Sequence, residues 1–321
     1  MRLIKLKAMK RVNALHFAPD GRRLLAVGGA EVRMQDEAVW IEVGGLKETL
    51  RVPFHANCCA VSPDLTRIAV GNSRPFWEDD ANIPPVAVFD AASPTWHEDG
   101  SWWQEVVLSD DDDAQVRGLA FAPDGNRLAV SFTVDLEETR LYLLKVTDFA
   151  KGHREVLHPL DEGTEYAVLA FAPDGSTLAT SGGLDDHPAV TGWNAATLEP
   201  LRTFVPKGAR TLHLSYSPDG GTLAAVNAKT VFLLPPDLSV PRHTLAHPKQ
   251  VNAVAFTPDG RHLLTTCQDA AVRVWDAATG KVVTSYDWNV GATTAVAVAP
   301  DGLTAAAAGQ KGQVVLFDLG G

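Results

Sequence analysis

A proline–aspartate pair recurs seven times along this chain of 321 residues, with prolines at Pro19, Pro63, Pro123, Pro173, Pro218, Pro258 and Pro300. The partners are Asp20, Asp64, Asp124, Asp174, Asp219, Asp259 and Asp301, and glycine follows in six copies, at Gly21, Gly125, Gly175, Gly220, Gly260 and Gly302. Proline presets φ at the first corner of a tight turn, aspartate suits the second, and glycine accepts the left-handed geometry that sends the chain back. Leu65 takes the glycine place in the second copy. A side chain there should cost about 1 kcal/mol if the left-handed turn is kept. The prolines are separated by 44, 60, 50, 45, 40 and 42 residues. Such a step is long enough for four short strands and too short for a domain.

The clearest copy is Val251–Asp276. Val251–Phe256 is short, apolar and rich in β-branched residues, as a buried strand should be. After the Thr257–Gly260 turn, Leu263–Cys267 returns, Gln268-Asp269-Ala270 turns again, and Val272–Trp275 alternates as a third strand. Lys281–Tyr286 adds a fourth after the Ala277–Gly280 bend. A unit of this kind cannot shield both of its faces alone, so the seven copies should form one domain over residues 1–321. Leu3–Lys7 alternates ahead of the first copy, and Val314–Phe317 ends the last with no fourth strand after it. The economical solution makes the opening segment the outer strand of the last unit, which removes an exposed edge.

LAFAPDG at Leu119–Gly125 and Leu169–Gly175, VAFTPDG at Val254–Gly260 and VRVWDAATGK at Val272–Lys281 resemble WD40 repeats. The resemblance runs through all seven copies. It implies an all-β fold, a seven-bladed β-propeller of four-stranded antiparallel blades, with the N-terminal strand pairing in the last blade. The alanine-rich strands and frequent PDG turns are closest in character to bacterial members of the family. His247, Thr265, Asp269 and Trp275 fall where the family places its structural tetrad, which implies a histidine bridging the aspartate and the hydroxyl, and a hydroxyl meeting the indole N–H. Trp193 with Asp185 or Asp186 is a degenerate version without a histidine at the right spacing. The set has the residue types of a hydrolytic triad, but a buried indole needs such a partner for structural reasons alone.

Composition narrows the function classes. Net charge of −11 argues against a general nucleic-acid or anionic-membrane surface, though Arg11, Arg117 and Arg210 would make one positive sector. Cys58, Cys59 and Cys267 are too few for a disulfide framework, and the first two read as buried free thiols on opposite faces of a strand. No apolar run opens the chain or could span a membrane, which points to a cytoplasmic protein, expected as a monomer. No GxSxG, HExxH, paired CxxC or phosphate-binding glycine loop is present.

Aligning the copies on their prolines exposes a second pattern. Eight residues earlier stand Arg11, His55, Gln115, Glu165, Arg210, Gln250 and Ala292. Six earlier stand Asn13, Asn57, Arg117, Ala167, Leu212, Asn252 and Thr294; four earlier, every residue is apolar. Each first strand thus passes from polar to apolar as it enters the core. In the family, such positions ring the channel mouth and contact partners. Gln268, in the loop after the second strand, shares that rim. So does the insert Asn72–Pro85 with Arg74, Phe76 and Trp77, and so does the acidic run Asp110–Asp113. Trp96 and its neighbours His97, Glu98 and Asp99 fall on the opposite rim. The reading that follows is a non-catalytic scaffold that binds a protein or peptide at the channel mouth and needs no cofactor. The alternative is a propeller hydrolase or lactonase with a metal in the channel. Its ligands would come from Asn13, Asn57, Asn252, Glu165 and His55, mostly amides and hence poor donors.

Overall fold

The computed structural model describes residues 2–5, 9–30, 36–54, 58–71, 86–90, 104–106, 115–134, 138–145, 154–159, 168–182, 189–207 and 211–320. Strands joined by turns make up these residues, with no helix among them. β1 (Arg2–Lys5) precedes seven successive strand sets. The first set is β2 (Met9–Phe17), β3 (Arg23–Ala30), β4 (Asp36–Glu42) and β5 (Lys47–Phe54). The second is β6 (Cys58–Val61), β7 (Arg67–Gly71), β8 (Val86–Asp90) and β9 (Gln104–Val106). The third is β10 (Gln115–Phe121), β11 (Arg127–Val134), β12 (Glu138–Lys145) and β13 (Arg154–Pro159). The fourth is β14 (Val168–Phe171), β15 (Thr177–Gly182), β16 (Ala189–Asn194) and β17 (Pro200–Phe204). The fifth is β18 (Thr211–Tyr216), β19 (Leu223–Asn227), β20 (Thr230–Leu234) and β21 (His243–Ala246). The sixth is β22 (Val251–Phe256), β23 (His262–Cys267), β24 (Ala271–Asp276) and β25 (Lys281–Asp287). The seventh is β26 (Thr293–Val298), β27 (Thr304–Gly309) and β28 (Gln313–Asp318).

Each set is one antiparallel four-stranded sheet, and β1 supplies the missing fourth strand of the seventh. Its register runs from Arg2 opposite Leu316 to Lys5 opposite Gln313. Of the Leu3–Lys7 strand read in the sequence, Leu3–Lys5 falls within β1 and the last two residues lie outside the described residues. Of the outer strand expected at Trp102–Leu108 in the second sheet, Gln104–Val106 is described and pairs as β9.

The turn chemistry explains why the sheets repeat. Every turn aspartate accepts a backbone N–H two residues on, from Arg22 at Asp20 to Leu303 at Asp301, at 2.8–3.0 Å. Where the residue before proline carries a hydroxyl (Ser62, Ser217, Thr257), that hydroxyl also donates to the aspartate at 2.6 Å. The six glycines sit at φ between 66° and 70°. Leu65 keeps the same geometry at φ 54°. Its side chain is only 8% exposed, so burial offsets the backbone strain.

The described residues form two compact units, one of Met1–Phe54 with Thr211–Gly321 and the other of His55–Arg210. Within the first, Leu15, Leu24 and Ile41 pack on Ala297, Ala306 and Leu316, which joins the first sheet to the seventh. Leu264 and Val274 meet Val296 and Phe317 between the sixth and seventh, and Val226 and Leu233 meet Val254 and Trp275 between the fifth and sixth. Within the second unit, Val88 and Ala69 meet Val116 and Phe132, and Leu141 and Leu143 meet Leu178 and Trp193. Each fully buried aliphatic side chain contributes roughly 1.5–3 kcal/mol, so it is the sheet-to-sheet seams that hold each unit together. Cys58 and Cys59 are partly buried rather than fully so, Cys267 is buried, and all three are free thiols.

Candidate functional site

Three members of the expected tetrad meet in the sixth sheet. Thr265 on β23 is fully buried, and its hydroxyl accepts the indole N–H of Trp275 on β24 at 3.0 Å. His247, just past β21, brings Nε2 to the same hydroxyl at 2.9 Å, its ring tilted against Trp275 at 5.0 Å between centroids. Nδ1 of His247 faces the Leu245 carbonyl at 3.2 Å. A carbonyl can only accept, so Nδ1 carries the proton and Nε2 takes the hydroxyl hydrogen. Burial lowers the pKa of His247 to about 4, which keeps the ring neutral near pH 7. The chain of donors therefore runs from indole to hydroxyl to imidazole to carbonyl. The hydroxyl is sealed and both of its bonds are used, so it is a structural tie and offers no nucleophile.

Asp269 departs from the expected bridging role. Its carboxylate lies against the Arg273 guanidinium, at 2.5 Å and 3.2 Å, and accepts the Ala271 N–H at 3.2 Å. Burial pushes its pKa up, but the Arg273 bonds, the Cys267 thiol and the Arg273 charge outweigh that and hold it at about 2. A planar guanidinium matches a carboxylate better than an imidazole whose remaining N–H already has a carbonyl.

A second tie escaped the sequence reading. Trp193 on β16 donates to Thr180 on β15 at 2.8 Å, fully buried. Thr180 and Thr265 both stand seven residues after their turn proline, where the other copies have Ala26, Val70, Val130, Ala225 and Ala307. The two tryptophans pair across from Leu178 and Leu263, five residues after that proline. At the matching register the other sheets place Ile41, Phe89, Leu144, Leu234 and Phe317. A threonine thus occurs only where an indole N–H must be met.

The polar ends of the inner strands have a common cause. In five sheets the ladder slips by one residue at the same register, skipping Asn13, Arg117, Leu212, Asn252 and Thr294. Each lies six residues before its turn proline. A bulge unpairs its extra residue and re-aims that side chain, so one register position is turned outward again and again. Asn13 is exposed, Asn252 and Arg117 are partly buried, and Leu212 is 40% exposed. Thr294 is the exception: it is buried and donates to the Val12 carbonyl at 2.6 Å.

In the first unit this end forms one connected line. The Gln268 N–H donates to the Gln250 carbonyl, and the Asn252 amide donates to the Thr293 carbonyl at 2.6 Å. Gln310 N–H donates to Ala292, Arg11 bridges to Gln310, and Lys311 N–H donates to Lys10. Arg11, Gln250, Asn252 and Gln268 are therefore brought to one edge across the sixth, seventh and first sheets. Lys10, Arg11, Lys229, Lys249 and Lys311 stand exposed along it, a local cationic edge on a chain of net charge −11. Arg117 belongs to the second unit, and Gln115 is described there only as the first residue of β10. His55, Asn57, Arg74, Phe76, Trp77, Glu165 and Arg210 lie outside the described residues, as do Trp96 and Asp110–Asp113. Among the described residues no group of three or more His, Cys, Asp or Glu side chains could hold a metal ion, and no helix is long and apolar enough to cross a membrane.

Repeated four-stranded antiparallel sheets, each with the same Asx-type turn after its first strand and packed on neighbouring sheets within its unit, define a repeat protein of the β-sheet kind. Residues 239–276 match the family model described as WD domain, G-beta repeat. That segment starts in the outer part of the fifth sheet and ends with β24, so repeat and sheet are offset by one strand, as they are at β1. The chain is 36% identical over 59 residues to an uncharacterised WD repeat-containing protein of Synechocystis, covering 18% of this chain and 17% of that protein. It is 29% identical over 77 residues to an uncharacterised WD repeat-containing protein of Schizosaccharomyces pombe, 24% of this chain and 19% of that one. It is 34% identical over 84 residues to a ribosome biogenesis protein (a BOP1 homologue) of Leishmania braziliensis, 26% of this chain and 11% of that one. The matches span less than a fifth of those relatives. The chain thus carries a match to one WD repeat and is similar over part of its length to WD repeat-containing proteins.

Proposed function

We propose that the seven sheets close into a ring, with β1 as its latch, and that the protein is a non-catalytic scaffold. Its partner, a protein or peptide, docks on the rim built by the inner-strand bulges. One observation carries this reading: the same register position is bulged in five sheets and reaches the surface in four of them, at Asn13, Arg117, Leu212 and Asn252, which makes strand ends a recurring contact surface. WD repeat proteins generally act as protein-interaction scaffolds, which supports it. The exposed cations of this rim favour a partner segment with carboxylates, and Leu212 offers an apolar anchor at the same register. The free thiols fit a reducing compartment, and cytoplasmic location is part of the proposal.

The test compares partners captured by the native protein with those captured by a variant carrying Arg11→Ala, Leu212→Ser and Asn252→Ala. All three positions are on the rim and outside the seams. Loss of the specific partners, with an unchanged melting temperature, is the expected result. Equal capture by both proteins would remove the rim from consideration. The ring has its own test: removal of residues 2–7 should expose β28 as an open edge and cause aggregation or a large loss of thermal stability. An unaltered melting curve would refute the latch.

A further inference from the structure

We propose that the cationic edge of the first unit takes an extended acidic peptide whose carboxylates stand about six residues apart. It rests on the rim being the docking surface, and adds the chemistry and the spacing of what docks there. Charge is divided unequally between the units. The first carries 17 Lys and Arg against 14 Asp and Glu, a net of +3, and the second carries 11 against 25, a net of −14. Within the first unit the charges are sorted again by end. Asp20, Asp219, Asp259 and Asp301 lie in the turns after the first strands, and Asp276 and Asp318 finish third strands at that same end. At the bulged end the acidic side chains described are Asp269, already held by Arg273, and Asp287.

The cations fall into two groups with amides between them. Lys311 N–H donates to the Lys10 carbonyl at 2.8 Å and Gln310 bridges to Arg11, so Arg11 and Lys311 are neighbours where the seventh sheet packs on the first. The Lys229 carbonyl accepts the His247 N–H and the Ala228 carbonyl accepts the Val251 N–H, both at 2.8 Å. These bonds bring Lys229 beside Lys249 where the fifth sheet packs on the sixth. All four side chains are exposed. Gln250, Asn252, Gln268 and Gln310 lie between the groups, along the sixth and seventh sheets. Packed sheets stand about 10 Å apart, and two such steps separate the two seams, so the groups lie roughly 20 Å apart. An extended chain at about 3.3 Å per residue crosses that span in about six residues. Side-chain amides both donate and accept, as the backbone of such a peptide requires. No aromatic side chain stands exposed along this edge among the described residues, so it lacks the stacking platform that a single-stranded nucleic acid uses.

The test is calorimetric titration of the full-length protein with synthetic peptides, capped at both ends, in which two Asp pairs are separated by none to about ten Gly, Ser and Ala residues. Binding should be tightest at a separation near six, at least tenfold weaker with the pairs contiguous, and lost when Asn replaces each Asp. It should also weaken at least tenfold from about 0.01 M to about 0.15 M salt, because exposed charges are screened. Lys249→Glu combined with Lys311→Glu should abolish it at an unchanged melting temperature. Lys281→Glu, the same kind of charge change at the opposite end of the sixth sheet, should leave it unaltered. No binding at any separation, no preference among separations, or equal binding of an oligothymidylate of the same charge overturns the proposal. The rim reading is judged separately, by capture of cellular partners. If the Arg11→Ala, Leu212→Ser, Asn252→Ala variant loses partners that the Lys249→Glu, Lys311→Glu variant keeps, the rim stands and the acidic peptide falls. If both variants keep them, both fall.

Discussion

The fourth and sixth sheets solve the same problem with different amounts of polar chemistry. Both place a tryptophan on the third strand and meet its N–H with a threonine on the second, Thr180 for Trp193 and Thr265 for Trp275. The sixth adds His247, which loads the same hydroxyl from its other side. The fifth sheet dispenses with the arrangement and fills the register with Ala225 and Leu234. The contrast teaches that the tie is not needed to build a sheet of this kind. It is needed only once an indole has been buried, because an unmet N–H costs more than the bond returns.

The largest expected effect follows from volume. Trp275→Ala should cost on the order of 3–5 kcal/mol, through a cavity at the seam and the release of Thr265. Next comes the pair that measures the difference between the sheets. Thr180→Val leaves one buried donor unmet and should cost roughly 1–2 kcal/mol. Thr265→Val leaves the indole N–H and the imidazole nitrogen both unmet and should cost roughly 2–4 kcal/mol. Denaturant melts of both variants decide; equal losses would mean that His247 adds nothing to the sixth sheet.

Acid should separate the two sheets as well. Burial holds the folded pKa of His247 at about 4, below the value of 6.5 for a free histidine. The unfolded chain therefore takes up a proton that the folded chain refuses. The stability tied to this ring is intact above about pH 6.5 and declines as pH falls from there toward 4. His16 and His213 shift in the same direction for the same cause, burial, so all three should add to one acid-sensitive slope. His247→Gln should remove on the order of 1–2 kcal/mol of the loss between pH 7 and 4.5, less than a fully buried ring would give because this one keeps some access to water. A slope unchanged by the substitution would show that Thr265 does not depend on a neutral imidazole.

Much of this was legible in the sequence, for identifiable reasons. The Pro-Asp-Gly turn is local chemistry, and local chemistry marks each sheet start and sets the period. The alternation ahead of Val12 announced β1 because an unpaired outer strand had to come from somewhere. The bulges were invisible: the pattern showed polar residues at one register, but only the slipped ladder shows why they are turned outward. Thr180 could have been found by asking which residue stands seven after each turn proline, since a lone hydroxyl among Ala and Val at a buried position needs a partner. The partner of Asp269 depended on Arg273, whose alternation reads simply as strand. Nothing in the spacing says that a guanidinium will claim the carboxylate first.

That last point sets the smallest of the expected effects. Asp269 and Arg273 have side chains 16% and 18% exposed, so water and salt weaken the pair without cancelling it. Asp269→Asn keeps the shape and one acceptor for the Ala271 N–H and loses only the charge. A cost of about 0.5–1 kcal/mol is expected, falling with added salt, and the His247 pKa should drop only slightly, since the Asp269 charge raises it against the Arg273 guanidinium. If the aspartate instead oriented the imidazole, its loss would free Nδ1, disturb the hydroxyl and approach the cost of Thr265→Val. A histidine proton shift followed by NMR across the titration reads the two cases apart: the charge of Asp269 alone gives a slight drop when it is removed, whereas a bond from Asp269 to the ring would give a large one.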